Sequence, residues 1–290
     1  MQKKNYKVAG HTFSITANGC DVEAMLPSFK PFETENADSP LFSITVDNSI
    51  QPSWRGSRVG KFPCPSATFE VHRQENGAYQ ILVLDDSDIP CAFLQSDDSY
   101  REFSITTRGS TNNMTFGLNN ALMVIYTICT APYRTLLMHS SVVENEGKAY
   151  MFLGVSGQGK STHSDLWVRH IGGSTLINDD NPVLRISGDG TPYIYGSPWS
   201  GKRPIYKNVH YPIGGMVAIE QDKENRIRKE PIPTAFGILL SSCSTLKFDK
   251  RVHMEICATI TNVLEKLPIH TLFCRPDKEA AELSHSTMKP

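Results

Sequence analysis

The sequence has no surplus of charge of either sign, no long apolar run and no paired cysteines. Its 29 Lys and Arg against 30 Asp and Glu leave a net charge of −1 with His neutral. No chain-wide basic field is therefore available for nucleic acid or for anionic lipid. No stretch approaches the roughly 20 consecutive apolar residues that a membrane-spanning helix requires, and the basic start MQKKNYKVAGH lacks the apolar core of a secretion signal. A cytoplasmic protein is expected, with neither a nucleic-acid nor a membrane partner. Seven cysteines stand at 20, 64, 91, 129, 243, 257 and 274 with no C-x-x-C pair. Cys129, Cys257 and Cys274 lie among apolar neighbours and read as reduced core residues, not as metal ligands. Internal repeats and low-complexity segments are missing too. What remains is an ordinary globular composition, 290 residues with 39% hydrophobic and 20% charged, enough for one large or two moderate domains.

The N-terminal part carries short alternating runs. Residues 6–9 and 12–16 flank Gly10-His11 and read as a hairpin; 41–46 alternates with period two. The runs 67–72 and 79–84 are separated by a turn containing Asn76-Gly77, a strong hairpin signal, and 92–94 and 102–106 supply further strands. Pro27 and Pro31 exclude regular structure from 26–32, whose Phe29 and Phe32 are expected in the core. The stretch 49–65 reads as a proline-rich loop. Over 115–130, Leu118, Leu122, Ile125 and Cys129 fall on one helical face, and Ala131-Pro132 ends the helix. These patterns predict a β-rich N-terminal domain over 1–112 and an α/β domain over 113–290. In the latter, strands are expected at 214–219 and 269–274, helices at 233–242 and 251–267, and a last helix capped by Asp277. The mixed-charge run 222–229 reads as a solvated loop.

The chemistry concentrates in Gly154-Val155-Ser156-Gly157-Gln158-Gly159-Lys160-Ser161-Thr162, which fits G-x-x-x-x-G-K-S/T, the phosphate-binding P-loop. Residues 149–153 in front read as a buried strand and 164–168 behind as a helix, the order the motif requires. Glycines let consecutive N–H groups turn toward one point, where the helix N-terminus adds partial positive charge. Gly154, Ser156, Gly157, Gln158, Gly159, Lys160, Ser161 and Thr162 are the candidate nucleotide-binding residues. Lys160 would reach the β/γ-phosphates from a solvent-facing position, and the Ser161 hydroxyl would hold Mg²⁺. Downstream, Asp179 and Asp180 end a short strand before Asn181-Pro182. They read either as hard oxygen ligands for a phosphate-bound Mg²⁺ or as a turn. His139 reads either as a site residue or as a satisfied structural histidine. In the loop 195–204, Lys202 and Arg203 could neutralise phosphoryl charge, and Trp199 could stack on a base or pack over the sheet. The strands at 136–143 and 149–153, joined by a short turn, must be antiparallel neighbours, which predicts a mixed sheet.

Met138-His139-Ser140-Ser141, the hairpin with Gly147, the glycine run and Leu176-Ile177-Asn178-Asp179-Asp180 together resemble the nucleotide-binding core shared by HPr serine kinase/phosphatase and ATP-dependent phosphoenolpyruvate carboxykinase. The similarity spans roughly residues 135–205. It implies a mixed-sheet α/β domain that uses ATP and Mg²⁺, with the Asp pair in metal binding and catalysis; with the motif lysine Lys160 and the loop cation Arg203, Asp179 makes up the candidate catalytic set. By that resemblance Asp179 is the base and Asp180 the metal partner, and His139 is a ligand to a second divalent ion such as Mn²⁺. Two departures bear on the reaction. Residues 181–186 do not follow the carboxykinase pattern, and no Glu-containing signature of the HPr kinases follows the Asp pair. The expected function is phosphoryl transfer from ATP to a protein or small-molecule hydroxyl; a carboxykinase-like lyase and a non-catalytic ATP sensor are the alternatives.

Overall fold

The computed structural model describes residues 2–35, 39–64, 67–201 and 203–289. The chain forms two compact units, one of residues Met1–Thr130 with Leu246–Lys250, the other of Ala131–Thr245 with Arg251–Pro290. Each is an α/β arrangement on a mixed sheet.

The first unit contains β1 (Gln2–Val8), β2 (His11–Asn18), α1 (Val22–Met25), β3 (Phe42–Asp47), β4 (Ser57–Pro63), β5 (Thr68–Arg73), β6 (Tyr79–Leu84), β7 (Pro90–Ser96), β8 (Glu102–Thr107) and α2 (Thr111–Thr130). Its sheet runs β1-β2-β3-β8-β7-β6-β5-β4. The pairs β2/β3 and β3/β8 are parallel and the others antiparallel. Asn76-Gly77 turns the β5/β6 hairpin with Gly77 at φ +94°, as the left-handed preference of glycine allows.

Three local expectations change here. The proline-rich stretch contains β4, an edge strand bulged between Arg58 and Gly60, where Pro63 is tolerated because an edge leaves one side of the strand unpaired. Pro27–Phe32 is a 3-10 turn, not irregular chain, and Phe29 and Phe32 are fully buried. The third change concerns α2, which belongs to the first unit and moves the division from 112/113 to 130/131. Gly117 explains the fit, since a Cβ there would come within 2.6 Å of the Cys91 carbonyl, and the Tyr126 hydroxyl donates to the Val8 carbonyl at 3.1 Å. The segment Thr111–Tyr133 is long and apolar enough to cross a membrane by length and composition, yet 72% of its most apolar window is buried inside the fold.

The second unit contains β9 (Thr135–Leu137), β10 (Ser140–Asn145), β11 (Lys148–Leu153), α3 (Lys160–His170), β12 (Thr175–Asp180), β13 (Val183–Ile186), β14 (Pro192–Tyr195), β15 (His210–Gln221), β16 (Arg226–Lys229), α4 (Ile232–Ser241), all but the first residue of α5 (Lys250–Leu264), β17 (Ile269–Cys274) and α6 (Lys278–Met288). The run expected as one strand over 136–143 is broken at Met138-His139 into β9 and β10. The short turn at Glu146-Gly147 makes β10 and β11 antiparallel neighbours, and β10 pairs antiparallel with β12 on its other side. β15 lies parallel to β11 and β17, while its first residues pair with β14. β16, in the run expected to be loop, caps this sheet beside β17. Asp277 caps α6 by accepting from the Ala280 N–H.

Packing on one face of the sheet fixes α3. Trp167 is fully buried against Tyr150 and Phe152, and its indole N–H reaches the Ser284 hydroxyl of α6 at 2.8 Å. Leu166 and Ile171 join the same cluster. At roughly 25 cal/mol per Å² of apolar surface, burying these side chains outweighs the poor helix propensity of the His- and Ser-rich α3 sequence. Its start is thereby held at the carboxyl end of β11.

Candidate functional site

The link between β11 and α3 is built from backbone that only glycine adopts easily. Gly154, Gly157 and Gly159 have φ of +138°, +87° and +103°. A Cβ on Gly157 or Gly159 would meet nothing within 4 Å. Glycine is needed at these two for conformation, and the space above them is open. Gly159 is the N-cap of α3 and provides no side-chain cap, nor is there an acidic residue in the first turn. The first-turn N–H groups thus lack the usual side-chain acceptor, the arrangement that suits an anion. Ser156, Ser161 and Thr162 are exposed around it.

Lys160 is not solvent-facing, as the sequence suggested. It is 9% exposed and its Nζ folds back to donate to the carbonyls of Gly154 at 2.8 Å and Val155 at 3.3 Å. Burial lowers its pKa, and the nearby carboxylates of Asp180 and Asp179 act in the opposite direction. Gln158 also turns onto the loop: its Oε1 accepts from the Val155 N–H at 2.7 Å.

The Asp pair occupies the last two positions of β12. Alternation along a strand sends neighbours to opposite faces, and the two carboxylates accordingly meet different partners. Asp179, on the ladder opposite Ser141, accepts from Arg203 Nε at 2.6 Å. Asp180, opposite Ser140, lies 3.0 Å from His139 Nδ1 and accepts from Asn181 Nδ2 at 2.7 Å. Arg203 joins β12 to α3, since its other nitrogens reach Asp165 of α3 at 2.5 Å and the Ser161 carbonyl of the same helix at 3.0 Å. Burial alone would lower the Arg203 pKa, but the bonds to Asp165 and Asp179 leave it raised. Lys160, Ser161, Asp179, Asp180, His139 and Arg203 thus lie around one end of the sheet in the second unit.

Residues not singled out in the sequence hold this arrangement. Asn178, fully buried, donates to Ser197 Oγ at 3.3 Å and to the Trp199 carbonyl at 3.1 Å, and Ser197 bonds back to the Asn181 carbonyl. Gly201 packs so closely on the Asp pair that a Cβ would lie 3.1 Å from the Asp179 carbonyl and 3.2 Å from Asp180 Cβ. Ser141 and Ser164 share a hydrogen bond that ties β10 to α3. Asp165 had one readable signal, its place a helical turn after Ser161. Trp199 is 4% exposed, so it packs within the fold and offers no stacking face. Lys202 lies outside the described residues.

Among the described residues no three His, Cys, Asp or Glu side chains are grouped to hold a metal ion. An all-protein cage is not what Mg²⁺ commonly uses; it takes one or two carboxylates with phosphate oxygens and waters. Ser161 and the part-exposed Asp180 are donors of that kind.

Behind the loop, His163 is 2% exposed and its Nε2 lies 2.9 Å from Ser284 Oγ. Burial pushes its pKa down to about 4, from 6.5. A group with a depressed cationic pKa adds stability above its unfolded pKa and loses it as pH falls toward the folded value. We therefore expect urea unfolding to show a loss of up to roughly 3 kcal/mol between pH 6.5 and pH 4 that is missing in His163→Gln. An equal loss in that variant would assign it to other groups.

No protein-family model matches this chain, and no curated protein matches it.

Proposed function

We propose that the second unit binds ATP with Mg²⁺ on the loop 154–162 and transfers the terminal phosphoryl group to a hydroxyl, in the manner of the HPr serine kinase and carboxykinase superfamily that the sequence resembles. The observation that carries this reading is the bridge made by Arg203, which joins Asp179 on β12 to Asp165 and the Ser161 carbonyl on α3. It brings a carboxylate, a guanidinium and a glycine-capped helix N-terminus to one place. Phosphoryl transfer needs little else from a protein beyond positioning and charge stabilisation.

In this reading the loop N–H groups and the α3 N-terminus hold the phosphates. Lys160 leaves the Gly154 and Val155 carbonyls for the β- and γ-phosphate oxygens. Mg²⁺, held by Ser161 and Asp180 with phosphate oxygens, would neutralise charge across the phosphates. Asp179 accepts the proton of the attacking hydroxyl as its oxygen bonds to the γ-phosphorus; the bond from γ-phosphorus to the bridging oxygen breaks and ADP leaves. Arg203 balances the charge on the transferring oxygens. His139 orients Asp180 and is the residue that would serve a second divalent ion.

The test is incubation of the full chain with γ-labelled Mg·ATP and a library of hydroxyl-bearing metabolites and proteins. Label on a hydroxyl is expected. Phosphoenolpyruvate formed from oxaloacetate would instead favour the lyase, and tight Mg·ATP binding without transfer to any acceptor would favour a sensor.

A further inference from the structure

The end of β15 reaches the glycine loop with two consecutive side chains, neither of which the loop's motif predicts. Glu220 accepts from Gln158 Nε2 with both oxygens, at 3.1 and 3.2 Å. Gln158 passes the contact on, because its Oε1 takes the Val155 N–H at 2.7 Å. Gln221 Nε2 donates to the Gly157 carbonyl at 3.2 Å. The Gln158 amide lies so close over Gly154 that a Cβ there would be 2.4 Å from Oε1. Gly154 is glycine because of its φ of +138°, and the lack of a side chain there leaves room for the Gln158 amide.

A loop with three glycines at positive φ has much conformational freedom to lose, and side-chain contacts must hold it in one shape. In the structure three contacts supply that order: Lys160 to the Gly154 and Val155 carbonyls, Glu220 through Gln158 to Val155, and Gln221 to Gly157. The first is the one that must be given up if Lys160 turns to a phosphate. We propose that Glu220, through Gln158, and Gln221 are positioning residues that keep the loop in its anion-binding shape once Lys160 has left it. They act on nucleotide affinity and not on the chemical step. This rests on the nucleotide-binding reading above, and the test is arranged so that the two can fail separately.

Glu220 is exposed, so Glu220→Ala is expected to leave thermal unfolding unchanged. Two readouts are measured on the full chain. Without nucleotide, amide hydrogen exchange at Val155 should accelerate about tenfold or more in Glu220→Ala, because the acceptor on that N–H loses its anchor. With Mg·ATP, calorimetry should show a Kd raised about tenfold, the effect of one hydrogen bond to a charged group. Glu220→Gln, which keeps an oxygen acceptor in place, should recover most of both. Glu224→Ala, removing a charge from the following turn, should change neither.

Unchanged exchange at Val155 in Glu220→Ala overturns the brace. Faster exchange with unaltered Mg·ATP affinity overturns its role in positioning, as does an equal affinity loss in Glu224→Ala, which would be a bulk charge effect. If the unmodified protein binds no nucleotide, the functional reading fails and the exchange measurement alone decides the brace.

Discussion

Replacing Lys160 with alanine is expected to weaken Mg·ATP binding by about 10²-fold or more while the second unit stays folded. The magnitude follows from losing charge-assisted contacts to two phosphates, each of about 1.5–3 kcal/mol. The structure changes what accompanies that loss. Because Nζ donates to the Gly154 and Val155 carbonyls, the substitution also releases two acceptors. Val155 is 61% exposed, so water can take over, and the unfolding free energy should fall by no more than about 2 kcal/mol. Calorimetry on the folded variant, checked by a thermal melt, reads both quantities. Unchanged Mg·ATP affinity in a folded Lys160→Ala protein would remove the nucleotide assignment altogether. Lys160→Arg is a second probe, since a planar guanidinium cannot reproduce the ammonium's fit inside the loop and should also bind poorly.

The parts of the site that were legible in the sequence are those set by local pattern. Strand, glycine run and helix follow one another within about a score of residues, so α3 and its loop could be read from spacing and glycine conformation. The antiparallel β10/β11 pair followed from a turn too short for a crossover. Partners set by tertiary packing were not legible. The apolar face of α2 was visible as Leu118, Leu122 and Ile125, but nothing in a helical period says which sheet it covers. The answer lay in Gly117 against Cys91 and in Tyr126 reaching Val8. Lys160 read as solvent-facing, and Trp199 read either as a stacking residue or as packing over the sheet. Both are buried, Lys160 because its Nζ folds back onto the Gly154 and Val155 carbonyls of its own loop. Asn178, between Ile177 and the Asp pair, carries no signal of its own, yet its amide fixes the loop that brings Arg203 to Asp179.

The two members of the Asp pair should separate when each is changed to asparagine. Asn keeps the shape and one acceptor oxygen and loses the negative charge and the ability to take a proton. Asp179 sits with its side chain 6% exposed against Arg203, on the ladder face opposite Ser141 and toward α3. In the proposed reaction Arg203 turns to the transferring oxygens and leaves Asp179 to face the acceptor hydroxyl. Asp179→Asn should then keep Mg·ATP affinity within a few-fold and lower kcat by about 10²–10⁴-fold, the usual share of general-base catalysis. Asp180 is part exposed beside His139 and near enough to Lys160 for its charge to act on it, which in the proposed reaction places it by the phosphate-bound cation. Asp180→Asn should raise the Mg²⁺ concentration needed for nucleotide binding, with a smaller effect on kcat at saturating Mg²⁺. Removing the Asp179 charge also leaves Arg203 with Asp165 as its remaining carboxylate, so a lowered thermal midpoint is expected in Asp179→Asn and not in Asp180→Asn. Titrating Mg²⁺ and ATP in both variants, with the acceptor identified in the screen, resolves the split. Small and equal effects would reduce the pair to strand structure, and a reversed pattern would exchange the two roles.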